Sequence, residues 1–297
     1  MSEIKRVALA GATGNLGPAV LDQLLQAGLE VTVLTRAGSQ HKLPETVTLK
    51  EVDYDSLESL TTALHGHDAV VSTLGSLSLS KQLLLVQAAA ETGVNRFIPS
   101  EFGSNTVHPK TSQLPVFGDK IAVQKALQKE ADAGRLTYTI VVNGPFLDWG
   151  LAVGFVASVK DRSISLYDGG DRIFSATTLP AVGKAVVGVL QHLDETKNRA
   201  VYVQETAITG KQLLDIGQKV TGTEWKAAQI STEDCVKDAW AELSKTAPDY
   251  GKAFMNFLNA AIWGEGYGSH FETNDNKLLG IKEIREEELR ALMVSHA

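Results

Sequence analysis

The chemistry available to this chain begins with a glycine triplet. Gly11-Ala12-Thr13-Gly14-Asn15-Leu16-Gly17 follows the apolar run Val7-Ala8-Leu9-Ala10 and leads into a helical pattern. Gly11 permits a tight turn, Gly14 lets backbone approach a pyrophosphate, and Gly17 lets the helix pack closely on the strand. A helix that starts here aims free N–H groups and a partial positive charge at phosphate, with Thr13, Asn15 and Leu16 completing the cradle. A second signal is Arg36, just past Val31-Thr32-Val33-Leu34-Thr35. An acid at that place would accept from a ribose 2′-hydroxyl and repel a phosphate. This chain has none until Glu45. The Arg36 guanidinium suits a 2′-phosphate through paired, charge-assisted hydrogen bonds, with Lys42 as a second cation. Together these residues predict a dinucleotide site that takes NADPH. Asp53, after the third strand, is a candidate for the adenine edge.

The elements that must position these groups alternate strand and helix. Apolar runs predict strands at 7–10, 31–34, 46–49, 69–72, 96–98 and 138–142; amphipathic runs predict helices at 15–27, 57–64, 81–92 and 120–133. Short apolar strands spaced by helices imply a parallel sheet covered on both faces, and right-handed crossovers make it an α/β, Rossmann-type doubly wound sheet. Ligands of such sheets sit at the carboxyl ends of the strands. Thr73-Leu74-Gly75, Ser100-Glu101-Phe102 and Asn143-Gly144-Pro145-Phe146 are therefore expected to touch the cofactor. Phe102, Phe146 and Trp149 are expected to reach the substrate as well. Past residue 147 helical segments dominate. The expected organisation is a dinucleotide-binding domain over 1–147 and a smaller, mostly helical substrate domain over 148–297, with some later elements returning to the sheet. Thr209 and Gln212 read as a capping box. The segment 100–117 is long and aperiodic, which marks it as functional or mobile.

Composition narrows the class. The chain has 297 residues, 43% of them hydrophobic, a formal net charge of −7 and one cysteine. An acidic chain without a basic cluster is a poor nucleic-acid or anionic-membrane binder. A lone cysteine allows no intrachain disulfide, which suits a reducing compartment; Cys235, beside Glu233 and Asp234, is read as inert packing. The start of the chain lacks a signal-peptide pattern, and no apolar run approaches the roughly 18 residues of a membrane span. The expectation is a cytoplasmic monomer or homodimer. His65-Gly66-His67-Asp68 offers no third metal ligand and reads as a solvent-facing loop, so no metal is expected. Phe254, Phe257, Trp263 and Tyr267 could form either a lid over an apolar substrate or core.

With Arg36 and the Gly-x-x-Gly-x-x-Gly spacing, the block Arg96-Phe97-Ile98-Pro99-Ser100-Glu101-Phe102-Gly103 resembles the isoflavone reductase-like, or NmrA-like, atypical short-chain dehydrogenases. Asn143 to Trp149 is similar to the fungal branch. The wider superfamily uses Tyr-x-x-x-Lys, and none of the six tyrosines here has lysine four residues on. The resemblance instead implies a catalytic acid/base at Lys120, in Phe117-Gly118-Asp119-Lys120-Ile121-Ala122-Val123. Where the plant reductases carry arginine four residues further on, this chain has Gln124. Independently of family, a lysine at a helix start meets an unfavourable dipole and, when enclosed, tunes toward neutrality, where it can pass a proton. The resemblance implies an NADPH-dependent reductase of secondary metabolism that delivers hydride to an apolar, aromatic small molecule. Two alternatives stay open: a redox-neutral dehydratase, cyclase or isomerase, and a non-catalytic NADP(H) sensor. Sensors of this family generally lack the lysine.

Overall fold

The computed structural model describes residues 3–39 and 43–296. Lys42 lies outside the described residues. The chain starts with β1 (Arg6–Ala10), α1 (Gly17–Gln26), β2 (Glu30–Arg36), β3 (Thr48–Val52), α2 (Leu57–Leu64) and β4 (Ala69–Ser72). It continues through α3 (Gln82–Glu91), β5 (Arg96–Ile98), α4 (Gly118–Asp132), β6 (Thr137–Val142), α5 (Leu147–Ala152), β7 (Ser163–Tyr167) and β8 (Ile173–Ala176). Then come α6 (Leu179–Gln191), β9 (Arg199–Tyr202), β10 (Thr206–Thr209), α7 (Gly210–Thr221), β11 (Lys226–Ile230), α8 (Thr232–Leu243), α9 (Tyr250–Trp263), α10 (Asn276–Leu279) and α11 (Glu286–Val294).

Seven strands form one parallel sheet in the order β3-β2-β1-β4-β5-β6-β9. Alternation along β1 explains its two layers. Val7 and Leu9 face a core shared with α1 and α6, including Val20, Leu24, Val182 and Val186. Ala8 and Ala10 face the opposite core, with Leu60, Leu85 and Leu127. Both faces are dry, which is why the strands read as unbroken apolar runs. The third strand is displaced from its expected place by a few residues. It is an edge strand, paired only with β2, and of its residues only Val52 is buried, so burial left little mark on its sequence.

The second half of the chain does not stay apart from the sheet. β9 is its seventh strand, and α6 packs against α1. The remaining elements include two small sheets as well as helices: β7 pairs parallel with β11, and β8 antiparallel with β10. The Thr209 capping box forms at the start of α7, with Gln212 N donating to Thr209 Oγ1 (3.1 Å) and Thr209 N to Gln212 Oε1 (2.9 Å).

Buried Arg96 locks the returning strand in place. Its guanidinium donates to Thr137 Oγ1 (2.9 Å), Thr139 Oγ1 (2.7 Å), Thr196 Oγ1 (2.8 Å) and the Leu193 carbonyl (2.5 Å). Burial pulls its pKa down to about 10, opposed by Asp194.

Candidate active site

At the carboxyl ends of β1 to β4 lies a cavity of about 690 Å3. The glycine loop forms one wall. Gly11 has φ +87°, and a Cβ there would sit 2.7 Å from the Thr73 carbonyl carbon. A Cβ on Gly17 would lie 2.2 Å from the Gly11 carbonyl oxygen. These two glycines are fixed by the fold itself. Gly14 differs: its Cβ would be 3.5 Å from the nearest protein atom, an ordinary contact, and the residue is exposed to the cavity side. Its freedom from a side chain leaves open space for a ligand, not for the protein. Leu16 ends the loop as the N-cap of α1 with its side chain buried in the core, and no side chain caps the helix. The first-turn N–H groups are thus left for an external acceptor.

Across the cavity stand Arg36 and Thr35 at the end of β2, and Asp53, Tyr54 and Asp55 after β3. Arg36 is exposed, and among the described residues no carboxylate pairs with it. Thr73, Leu74 and Gly75 form the third side. Sequence reasoning overlooked Tyr54 and Lys81. Tyr54 is buried and donates to the Leu34 carbonyl (3.1 Å), which ties this side of the cavity to β2. Lys81 pairs with Asp55 across the rim. Both lie within helix or loop periods whose polar residues usually only face solvent, so spacing gave no signal.

A second group gathers at the ends of β5 and β6. Ser100 Oγ donates to the Leu74 carbonyl (2.7 Å), and Ser100 N donates to Gln82 Oε1 (2.8 Å), fastening this group to the cavity wall. Lys120, half-buried in the first turn of α4, donates from Nζ to the Glu101 carbonyl. The Glu101 side chain is 2% exposed. Its Oε2 accepts from Thr106 Oγ1 (2.6 Å), and that hydroxyl accepts from Gln124 Nε2 (2.9 Å). Burial depresses the Lys120 ammonium below the ordinary lysine range, opposed by the Glu101 carboxylate. Burial also raises the Glu101 carboxyl, opposed by Lys120, Thr106 and Gln124.

The other expected contacts divide by burial. Phe102 is buried in the same core cluster as Ala12 and Leu16. Asn143 is fully buried, and its Nδ2 donates to the Gly144 carbonyl (2.7 Å). Gly144 has φ +65°, and a Cβ there would come within 1.9 Å of the Ser175 carbonyl oxygen. Pro145 is buried, and its carbonyl accepts from Thr177 N (3.2 Å). Phe146 and Trp149 are half-buried, with the Trp149 ring 6.5 Å from that of Phe155. The segment 100–117 is pinned, against the reading of it as mobile: Asn105 Nδ2 donates to the Gly268 carbonyl (3.2 Å), and Thr111 Oγ1 to the Tyr267 carbonyl (2.7 Å). Phe257, Trp263 and Tyr267 are core, with Trp263 stacked on Tyr167 at 4.4 Å; only Phe254 of the four aromatics stays half-buried. Asp68 is not a free loop acid, because its carboxylate accepts from Lys5 N (3.0 Å) and Arg6 N (2.7 Å). Cys235 is buried, and among the described residues no His, Cys, Asp and Glu cluster could hold a metal. No helix of the described residues is long and apolar enough to cross a membrane.

A doubly wound parallel sheet, a Gly-x-x-Gly-x-x-Gly turn, an arginine closing the second strand and a lysine where the superfamily's tyrosine motif is missing define an atypical short-chain dehydrogenase. The chain belongs to the NmrA-like family, whose model matches residues 3–254. It is 32% identical over 296 residues to the oxidoreductase poxI of Penicillium oxalicum, covering 95% of this chain and 91% of that one. It is 33% identical to the oxidoreductase aprR of Aspergillus flavus, covering 93% and 94%. Among solved structures, AtPrR2 with NADP+ and (+)pinoresinol superposes with a TM-score of 0.78 at 23% identity, covering 99% of this chain and 100% of that one.

Proposed function

We propose that this protein is an NADPH-dependent oxidoreductase that reduces an electron-poor carbon of an apolar, aromatic small molecule, with Lys120 exchanging the proton. The observation that carries the reading is the cavity of about 690 Å3, with the glycine loop on one side and, on the other, an Arg36 that no carboxylate among the described residues pairs. The donor set fits a phosphorylated dinucleotide: free N–H groups at the start of α1 for pyrophosphate, and a guanidinium for an extra phosphate. Two fungal relatives named as oxidoreductases, and a structural neighbour that holds NADP+, support the same choice. When bound, NADPH supplies the hydride.

The protein's own contribution is positional and electrostatic. The Ser100–Leu74 bond fixes the strand-end loop against the cavity, and the Glu101 carbonyl holds the Lys120 ammonium at that loop. Burial holds the Lys120 ammonium below the ordinary lysine range, opposed by the Glu101 carboxylate, which makes its proton easier to give up. Phe146 and Trp149, half-buried after β6, are the apolar surface assigned to the substrate in this reading.

Calorimetric titration with NADPH and NADH tests the cofactor, and NADPH oxidation with enone, quinone-methide and benzylic-ether compounds tests the reaction. The reading predicts heat with NADPH and weaker heat with NADH. Equal affinity for the two, or no NADPH oxidation with any of these classes, would overturn it.

A further inference from the structure

Glu101 is a buried carboxyl group that the proposed reaction does not itself use. It is 2% exposed, and its Oε1 has no hydrogen-bond partner. Thr106 Oγ1 donates to Oε2, Gln124 Nε2 donates to Thr106 in turn, and the Gln124 amide also acts on the carboxyl itself. That order fixes the direction of the chain. Gln124 Nε2, the atom in this bond, can only donate, so the Thr106 hydroxyl proton is turned toward the carboxyl, which accepts it. A buried carboxyl held as an acceptor with one oxygen unsatisfied costs several kcal/mol unless a cation stands nearby.

The cation is Lys120. Its Nζ binds the main-chain carbonyl of the same Glu101, while the Glu101 carboxyl acts on it through space. Other charged and titratable groups on elements packed against α4 are engaged elsewhere. Lys81 pairs with Asp55, Lys110 donates to the Glu265 carbonyl over the Tyr267 ring, and Tyr138 donates to Gln128. On α4 itself Asp119 and Lys125 are exposed, and Gln124 brings no charge of its own.

We propose that Glu101 is the positioning residue that sets the charge of Lys120: held by the Thr106–Gln124 chain, its carboxylate keeps the lysine an ammonium and therefore a proton donor. This rests on the reading of Lys120 as the proton-exchanging group. In the reduction, hydride adds to the electron-poor carbon, and the developing anion takes the Lys120 proton. The amine is left neutral beside the carboxylate and regains a proton from water. Replacing the carboxylate with an amide removes the charge that favours the ammonium, so the lysine deprotonates at lower pH.

The test is competitive acetylation of the cofactor-free protein with acetic anhydride across pH, read at each lysine by peptide mass spectrometry. It needs neither NADPH nor substrate, so a failure of the reductase reading and a failure of this coupling are distinguishable. Exposed Lys125, on the same helix, is the internal reference. In Glu101→Gln the Lys120 midpoint falls by about one pH unit, which is about tenfold faster labelling at a fixed pH below the midpoint. Glu101→Asp keeps the charge and stays near the wild-type midpoint. Should Glu101→Gln not fold, Thr106→Val removes the hydroxyl donor and shifts the midpoint the same way, by about threefold in rate. An unchanged Lys120 midpoint in the folded variant overturns the proposal. So does a Glu101→Asp shift as large as that of Glu101→Gln, because packing and not charge would then be the cause.

Discussion

Around the ends of β1 to β4 the protein keeps an open cavity of about 690 Å3, walled by backbone and rimmed by exposed Thr13, Gly14 and Arg36. Around β5 and β6 it fills the space instead. Lys120 is bonded to Glu101, Asn143 to Gly144, and Thr111 to Tyr267. The first region is preformed for a ligand of fixed shape, as expected for a cofactor. The second is closed by its own contacts, although Glu101 Oε1, Ser104 Oγ and Asn143 Oδ1 are buried there without a hydrogen-bond partner among the described residues. The lesson is one of division of labour: one wall is rigid because its partner never changes, and the other is closed by contacts that a guest can replace.

The comparison can be broken with two glycines. Gly144→Ala puts a methyl 1.9 Å from the Ser175 carbonyl oxygen at φ +65°, with backbone on both sides and nothing flexible to yield. The expected result is the largest effect in the molecule, a loss above about 4 kcal/mol or no folded protein; a melting temperature within a few degrees of wild type would refute it. Gly14→Ala meets only an ordinary contact at 3.5 Å. Its melting temperature should hold while NADPH binding weakens by about tenfold or more, about 1.4 kcal/mol. Retained affinity would place the pyrophosphate elsewhere.

Three further substitutions sharpen it, in falling order. Lys120→Met should cost about 10²- to 10⁴-fold in turnover, the usual range for removing a positioned proton donor, with NADPH affinity changed little; wild-type turnover would remove the mechanism. Arg36→Gln should weaken NADPH by about 10- to 100-fold and leave NADH unaffected, as for one charge-assisted contact of about 1.5–3 kcal/mol; equal loss for both cofactors in titration would show that it holds something other than the extra phosphate. Tyr54→Phe removes one bond to the Leu34 carbonyl and should cost about 0.5–1.5 kcal/mol in denaturant unfolding. No change there would mean that water replaces the bond.

Legibility in the sequence follows the same divide. The open wall is built from residues near each other in sequence: the turn 11–17, the end of β2, and Thr73 to Gly75. Each carries a local signature, because a tight turn or a strand end constrains residue type directly. The filled wall depends on pairs far apart, such as Asn105 with Gly268 and Thr111 with Tyr267, 163 and 156 residues away. No periodicity records such pairs, so the segment 100–117 could be read only as functional or mobile, and nothing in it announced the bonds that fasten it. The aromatic residues after 253 were open to two readings for the same reason: a ring that packs in a core and a ring that covers a ligand have the same sequence spacing. Lys120 was marked by a family resemblance and by its place at a helix start; Thr106 and Gln124, which hold its neighbour, carry no motif of their own.

The bonds of Arg96 to Thr196 and Leu193 reach across 100 and 97 residues of chain. During synthesis β5 is therefore made long before the groups that neutralise its buried cation exist. The nucleotide-cradling half has no finished edge until β9, about sixty residues beyond β6, has left the ribosome, so a translation product cut after β6 should be a client for chaperones and proteases and not an independent domain.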